Sequence, residues 1–354
     1  MKTLQNTFRR SSLKNAATYI LVLAAYVIFQ VMSSTGAISS SMKGMLVPIC
    51  AYVVMAMSLN LTVGVLGELS LGHAGFMSMG AFTGTAAALA LSDAIPSAPL
   101  RLAVAMLIGA AFAAVAGVLI GIPVLRLKGD YLAIVTLAFG EIIKSIFNNL
   151  YVGVDDRGLH MSLLSDTTNL NEGGKALISG PMGIGGITKI STFTAGAILV
   201  LLSLFIIFNL VNSRAGRAIM AIRDNRIAAE SVGINITKYK LMAFVTSAAL
   251  AGAAGALFAM NYSTIVANKF DFNTSILILV FVVLGGLGNM LGSIIAAATL
   301  TVLPEMLRQF ADYRMLVYAI VLILVMLATN NPKLKSFFGG LKEKITGKAQ
   351  KGDA

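Results

Sequence analysis

Eight stretches that contain no Asp, Glu, Lys or Arg dominate this chain and restrict how it can fold. A helix needs about 20 apolar residues to cross the hydrocarbon core of a bilayer. Seven of the stretches have 24 or more residues and the eighth has 18; they are residues 15–42, 44–67, 69–92, 102–125, 190–213, 241–268, 272–304 and 315–332. Charged residues form only 12% of the 354-residue chain, about half the usual share in a soluble domain. A soluble enzyme or a disordered chain is therefore a poor fit.

The charge-free stretches predict transmembrane helices, since every backbone amide in lipid must be hydrogen-bonded within the protein. A ninth candidate span, residues 131–150, contains only Glu141 and Lys144 as charged residues. These two lie three positions apart on one helical face and can form an ion pair. We therefore predict an all-α fold, a polytopic membrane helix bundle of about eight full spans plus a broken Gly-rich hairpin, or of about ten spans.

Both ends of the chain are basic. Four Lys and Arg residues precede Ala17–Met32, which resembles a secretory signal. The long apolar run and the spans that follow it favour a retained first helix. We accordingly divide the chain into a basic N-terminus, 1–14, a single transmembrane domain, 15–332, and a Lys-rich tail, 333–354.

The distribution of Lys and Arg predicts the orientation. The positive-inside rule counts basic residues in short loops. With the N-terminus inside, 18 of the 27 Lys and Arg lie in inner segments and eight in outer ones. We therefore predict that both termini are cytoplasmic. The net charge of +12 then reflects membrane topology and contact with membrane lipid, and no nucleic-acid partner is predicted.

The stretch 272–304 must differ from an ordinary span if the tail is to end inside. After seven crossings the chain is outside at 261–275, so 272–304 must enter and leave on the same side. Its centre, 285–289, has the sequence Gly-Gly-Leu-Gly-Asn. This predicts a broken hairpin, either re-entrant or made of two short helices, whose free backbone groups face protein or a water-filled path. Two ordinary packed helices joined by a Gly turn are the alternative.

Residues that carry chemistry are few. Cys50 is the only cysteine, so no disulfide framework exists. With His73 and His160 it offers no metal-ligand cluster. Gly347 and Lys348 lack the upstream glycine of a phosphate-binding loop. We predict no catalytic residue, metal or cofactor in this chain.

Two loops are long enough for a role outside the membrane. The outer segment 151–190 is rich in Gly, Asp, Asn and Ser. It suits either a docking surface or a simple connection, with His160 as a solvated loop residue. The inner segment 212–240 predicts a helix over 215–230 that ends at Gly233. Its partial apolar face consists of Ile219, Met220, Ile222 and Ile227.

An exposed amphipathic helix of this kind suits docking of a soluble partner or binding to acidic lipid, and its physical properties fit both equally. Within it, Ala228-Ala229-Glu230 followed by Gly233 resembles the cytoplasmic EAA loop of binding-protein-dependent ABC importer permeases. In that family the loop docks into a cleft of the ATPase and transmits its closure. The resemblance thus favours a protein partner.

Three more blocks are similar to the branched-chain amino acid permeases of that family. Residues 66–76 have the sequence Leu-Gly-Glu-Leu-Ser-Leu-Gly-His-Ala-Gly-Phe, residues 129–141 begin Gly-Asp-Tyr-Leu-Ala-Ile, and the break at 285–289 belongs to the same pattern. The second block resembles the M-type subunit of the permease pair. Glu68 departs from the pattern, in which Gln is more usual. Together the blocks cover most of residues 45–330.

The resemblance implies partners and roles. The partners would be a homologous permease subunit, two ABC ATPases that hold ATP and Mg²⁺, and an extracytoplasmic amino-acid-binding protein, all at a bacterial inner membrane. The residues expected to couple to the ATPase are Arg214, Arg217, Arg223, Ala228, Ala229, Glu230 and Gly233. The residues expected in the translocation path or gate are Glu68, Ser70, His73, Gly285, Gly286, Gly288 and Asn289.

Several alternatives stay open. Glu68 and His73 could line the path, because an ionisable group in a membrane is costly, or could simply face water at the inner interface. Glycines spaced four apart, at 80/84, 117/121 and 288/292, favour close helix packing. An ABC permease for urea or short amides has the same architecture. An autonomous secondary transporter would use His73 and Glu68 as a proton relay.

Overall fold

Helices make up most of the residues described by the computed structural model, which are 2–36, 38–127, 129–155, 158–163 and 174–307, with 316, 319, 320 and 323. The helices are α1 (Lys2–Ser34), α2 (Ser40–Asn60), α3 (His73–Ala90), α4 (Ala98–Val124), α5 (Asp130–Asn149), α6 (Phe193–Asn212), α7 (Arg214–Asp224), α8 (Arg226–Ser231), α9 (Ile236–Ala259), α10 (Phe272–Gly285) and α11 (Met290–Met306). The predicted helical bundle is confirmed.

The chain divides into two compact units, Met1–Ala298 and Thr299–Ala354. Of the second unit the structure describes mainly the end of α11. The predicted span 315–332, apart from four residues, and the tail 333–354 lie outside the described residues.

Seven helical segments of the described chain are long and apolar enough to cross a membrane. They are Ala16–Ser34, Ser40–Leu66, Ala98–Val124, Tyr131–Asn149, Phe193–Asn212, Ile236–Ala259 and Ala267–Gly285. The predicted span 69–92 is shorter than expected, because its helix begins only at His73. The resulting helix, α3, is rich in Gly, Ala, Ser and Thr and is largely buried among its neighbours.

The core is built from α3, α4 and α9, with α2 packed against α9. Small residues allow these backbones to approach closely. A methyl group added to Gly80 of α3 would lie 1.9 Å from the Gly252 carbonyl oxygen of α9. A methyl group on Gly117 of α4 would lie 2.8 Å from the Ala248 side chain. The predicted packing role of these glycines is confirmed, as in other membrane helix pairs.

The first helix packs against α6. The rings of Tyr19 and Phe208 meet edge to face at 5.7 Å, and the Tyr26 and Thr194 hydroxyls lie 3.2 Å apart. Farther along the chain, α5 carries the predicted ion pair between Lys144 and Glu141.

A small antiparallel sheet, absent from the all-helical prediction, joins α5 to α6. Its strands are β1 (Leu150–Asp155), β2 (Gly158–Leu163) and β3 (Lys175–Ser179), in the order β2-β1-β3. His160 was expected to be a solvated loop residue, which is wrong. It lies on β2, and its Nε2 is 2.8 Å from the Asp155 carboxylate, whose side chain is buried. The available signal for strands was that apolar residues recur at every second position, at 150, 152 and 154 and again at 159, 161 and 163.

Candidate functional site: the coupling segment and the glycine break

The inner segment 212–240, which we call the coupling segment, contains two short helices, α7 and α8. The predicted single helix over 215–230 is therefore wrong. Ser213 caps α7, its hydroxyl accepting a hydrogen bond from the Gly216 N–H at 3.1 Å. At Asn225 the backbone becomes extended, and the side-chain oxygen accepts from the Ala228 N–H at 3.0 Å. An Asn side chain that satisfies a free helical N–H favours a new helix start, and this interrupts the helix.

The predicted stop at Gly233 is confirmed. Its φ is +81°, a conformation in which only glycine is unstrained. The Gly233 N–H donates to the Glu230 carbonyl at 3.0 Å, and the Ile234 N–H donates to the Ala229 carbonyl at 3.1 Å. These bonds close the end of α8 and turn the chain toward α9.

The apolar face of the segment differs from the prediction. Ile219 and Ile222 are buried as expected, and Ile222 clusters with Ala229 and Ile236. Ile227, by contrast, is 81% exposed. The break at Asn225 rotates α8 relative to α7, because the helical period does not continue through an extended residue.

The exposed side chains of this segment include two apolar ones, Ile227 and Val232. Together with their exposed neighbours they form a surface that we call the coupling surface. Its members are Arg214, Arg217, Ile227, Ala228, Glu230 and Val232, all exposed. Ala229 is the member of the predicted set that points inward. The surface combines basic, acidic and apolar groups, as protein interfaces do. Exposed apolar groups amid charges are typical of a site that another protein covers.

One interpretation of the sequence placed Glu68 in water at the inner interface. Its side chain is instead only 16% exposed. It forms an ion pair with Lys240, at the start of the charge-free part of α9. Lys240 is only 4% exposed. Lys240 was not predicted as the partner of Glu68 because the two residues are 172 positions apart in the chain. The only signal in the sequence was a single Lys at the edge of an apolar stretch.

Ser70 and His73 are buried as well, so the interpretation that His73 faces water is wrong. The His73 Nε2 lies 2.7 Å from the Ser58 hydroxyl of α2. That hydroxyl also lies 2.9 Å from the Met55 carbonyl, to which it can donate. The Ser70 hydroxyl has no hydrogen-bond partner among the described residues. His73 and Ser70 are therefore both buried but differ in hydrogen bonding: His73 has a partner, and Ser70 has none among the described residues.

The predicted glycine break lies between α10 and α11. Gly286 and Gly288 have φ values of +93° and +79°, so the turn depends on glycine. Asn289 precedes α11, and its side-chain oxygen accepts from the Gly292 N–H at 3.3 Å. Gly285 approaches this start closely, since a methyl group there would lie 2.4 Å from the Ser293 nitrogen.

Asn60, which the sequence analysis did not single out, holds this break. Its side-chain oxygen accepts from the Gly288 N–H, and its amide donates to the Ser293 hydroxyl, both at 2.7 Å. Asn60 is fully buried and directly precedes a π-helical segment, Leu61–Leu66. A buried amide inside an apolar stretch was the available signal, because such a group needs partners.

The coupling segment reaches the same place. The Arg223 guanidinium at the end of α7 donates to the Gly64 carbonyl at 3.0 Å. Gly64 in turn lies against Gly288. The structure thus brings Arg223 and Gly288, from the two predicted sets, into contact with one residue of the π-helical turn, Gly64. Glu68 lies two residues after the end of this turn.

The coupling surface and the π-helical turn offer an exposed surface and hydrogen-bonded contacts between helices. Among the residues that the structure describes, no three His, Cys, Asp or Glu side chains are grouped as a metal site would require. The polar groups at the π-helical turn are backbone amides, an Asn, a Ser and an Arg, and these act here as hydrogen-bond partners.

Comparison with known proteins agrees with this geometry. Residues 41–326 match the family described as "Branched-chain amino acid transport system / permease component". The high-affinity branched-chain amino acid transport system permease proteins LivM of Salmonella typhimurium and Escherichia coli are each 34% identical to the chain. The alignments cover 90% of this chain and 74% of the first, and 94% and 79% for the second.

A more distant relative is the probable branched-chain amino acid transport permease protein LivM of Methanocaldococcus jannaschii. It is 26% identical over 67% of this chain and 73% of its own length. No solved structure matches the chain significantly. The family match covers α2 to α11 and therefore both the coupling surface and the glycine break. This multi-pass membrane chain belongs to the permease family of branched-chain amino acid ABC transport systems.

Proposed function

We propose that this chain forms, with a homologous permease subunit, the path by which leucine, isoleucine and valine cross a bacterial inner membrane. The observation that carries the proposal is the 34% identity to two LivM proteins along nearly the whole chain. The fold supports it, because close-packed small residues of α3, α4 and α9 build a tight helical barrier.

The energy for transport comes from other subunits in this proposal. Two cytoplasmic ATPases hold ATP and Mg²⁺ and bind the coupling surface, and an extracytoplasmic protein delivers the amino acid. The chain itself is non-catalytic and holds no cofactor. The resemblance of Ala228, Ala229, Glu230 and Gly233 to the EAA loop supports a protein partner. The exposed Ile227 and Val232 would supply apolar contacts to it, and the exposed Arg217 and Glu230 would supply charged ones.

The orientation follows from the basic residues. The excess of Lys and Arg in the segments on the side of 212–240 supports cytoplasmic termini and a cytoplasmic coupling surface. The residues at Ser70, His73 and the glycine break remain the proposed path and gate, with Asn60 added to them.

Uptake by the complete complex in proteoliposomes tests the substrate. We expect labelled leucine, isoleucine and valine to enter only with binding protein outside and ATP at the ATPases. Unlabelled leucine should compete and urea should not. Competition by urea but not by leucine would contradict the amino acid assignment. Uptake by this chain without ATPases would instead indicate an autonomous transporter.

The coupling surface is tested by Glu230→Lys. Charge reversal in the middle of an interface places like charges together, which costs several kcal/mol. We expect uptake to fall at least tenfold (~1.4 kcal/mol or more) and less ATPase to co-purify. Lys238→Ala, an exposed change nearby on α9, is the matched control and should retain both. Normal uptake by Glu230→Lys would remove the coupling surface from the proposal.

A further inference from the structure

The hydrogen bonding of α2 changes at residue 61, where the helix becomes π-helical until Leu66. In an α-helix the Gly64 carbonyl would accept from the Glu68 N–H. Here the Glu68 N–H donates to the Thr62 carbonyl at 3.1 Å, and so does the Gly67 N–H. The Gly64 carbonyl is therefore left for a partner outside the helix. π-Helical turns of this kind occur frequently at functional sites.

Arg223 supplies that partner, and its side chain is held in place along its length. The Gly64 carbonyl accepts from Nη1 at 3.0 Å. The Asp224 carboxylate accepts from Nε at 3.1 Å and from Nη2 at 3.0 Å. The aliphatic stem crosses Gly67, where an added methyl group would lie 2.6 Å from the Arg223 Cγ. Such charge-assisted bonds are stronger than neutral ones.

Gly64 also contacts the glycine break. A methyl group on Gly64 would lie 2.2 Å from the Gly288 nitrogen and 2.0 Å from the Asn60 side-chain oxygen. Asn60 itself bonds Gly288 and Ser293. Gly64 is thus in contact with an arginine of the coupling segment, with the backbone of the break and with the asparagine that bonds the break.

We propose that Arg223 is a positioning residue that transmits movement of α7 and α8 through Gly64 to the break at Gly286–Asn289. The inference rests on the proposed function, in which the ATPases move the coupling surface. A shift of α7 pulls on the Gly64 carbonyl, and Gly288 must follow because the two backbones touch. Gly286 and Gly288 have positive φ values and lie between the ends of α10 and α11, and residues at element ends are where hinges absorb backbone rotation.

The role predicts uncoupling rather than loss of assembly. In the complete complex, Arg223→Ala should retain bound ATPases and ATP hydrolysis, because the guanidinium is bonded to Gly64 and Asp224 of this chain and Arg223 is not a member of the coupling surface. Leucine imported per ATP hydrolysed should fall at least tenfold. Lys238→Ala, which removes one positive charge from the same loop, should change this ratio less than twofold. Arg223→Lys keeps the charge but cannot bond Gly64 and Asp224 together, so a three- to tenfold fall is expected.

A thiol probe tests movement of the break directly. Leu287 is exposed, and Leu287→Cys in a Cys50→Ala background places a single thiol there. We expect its rate of reaction with a maleimide to differ between nucleotide-free and vanadate-trapped complexes. Arg223→Ala should abolish that difference, whereas Lys238→Ala should keep it. A merely structural role for Arg223 would not remove a nucleotide-dependent signal.

Four outcomes would overturn the inference. They are a normal ratio of uptake to hydrolysis in Arg223→Ala, loss of ATPase binding in that variant, a probe signal that survives it, and a probe that never responds to nucleotide. If Arg223→Ala does not fold in the membrane, a normal ratio of uptake to hydrolysis in Arg223→Lys would overturn the inference instead. Failure of the proposed function is distinct, since the unsubstituted complex would then not import leucine with ATP at all.

Discussion

Two Lys–Glu ion pairs of this molecule contrast in how they are built. Lys144 and Glu141 are neighbours on one face of α5, with side chains that are 22% and 38% exposed. Lys240 and Glu68 come from α9 and the end of the α2 region, with side chains only 5% and 16% exposed. The first pair follows from helical spacing alone. The second exists only because tertiary packing brings two distant residues together.

The two pairs should also differ in energy. The i,i+3 pair of α5 contributes little to the tertiary fold, because its two residues stay neighbours on one helix when the packing between helices is lost. A buried pair replaces hydration with a single partner, so removing one member leaves a charge in a poor environment. The comparison teaches that the same two residue types are a surface detail in α5 and a structural requirement beside the π-helical turn.

The largest expected effect is that of Lys240→Met, which leaves the Glu68 carboxylate unpaired. We expect the free energy of unfolding, from denaturant titration in mixed micelles, to fall by about 3 kcal/mol. The double variant Glu68→Gln/Lys240→Met should recover more than half of the loss, because it carries no unpaired charge. If Lys240→Met costs no more than Lys144→Met, the contrast between the pairs is lost.

An intermediate effect is expected where a buried contact is neutral. Ser58→Ala removes the hydroxyl beside the His73 Nε2 and should cost about 1–2 kcal/mol in the same titration, since a buried polar group loses its partner. Ser78→Ala is the matched control. Its hydroxyl is buried without a hydrogen-bond partner among the described residues, so its removal should be neutral or stabilising. Equal losses in both variants would argue against a specific contact at His73.

The smallest effect should be that of Lys144→Met on α5. A pair between neighbours on one helix contributes about 0.2–0.5 kcal/mol, and we expect a loss within that range in the same titration. A loss near that of Lys240→Met would contradict the contrast between the two pairs.

Much of the fold was predictable because its signals are local. Charge-free stretches indicate spans, a Gly after a helical pattern indicates its end at Gly233, and a Gly-rich string indicates the break at 285–289. The prediction went wrong where local competition decided the outcome. Asn225 interrupts the predicted helix over 215–230 by capping α8, and Leu150–Asp155 and Gly158–Leu163 form strands that depend on pairing with one another.

The candidate site was predictable only in part, for a related reason. The sequence indicates that Glu68, His73, Arg223 and Gly288 matter, but their partners lie between 15 and 228 positions away. These partners are Lys240, Ser58, Gly64 and Asn60. Asn60 drew no attention because a single polar residue in a span carries no periodic signal. Only packing assigns it to Gly288.

Residue type and spacing by themselves determined that this chain is a polytopic helical membrane protein with a basic segment at 212–240 and a glycine break, because hydropathy and turn chemistry act over short distances. The tertiary structure decided which groups meet. It placed Lys240 against Glu68, and it brought Gly64 into contact with Arg223 and Gly288. A buried charge or an unbonded carbonyl requires a partner, but only the packing of the helices determines which residue provides it.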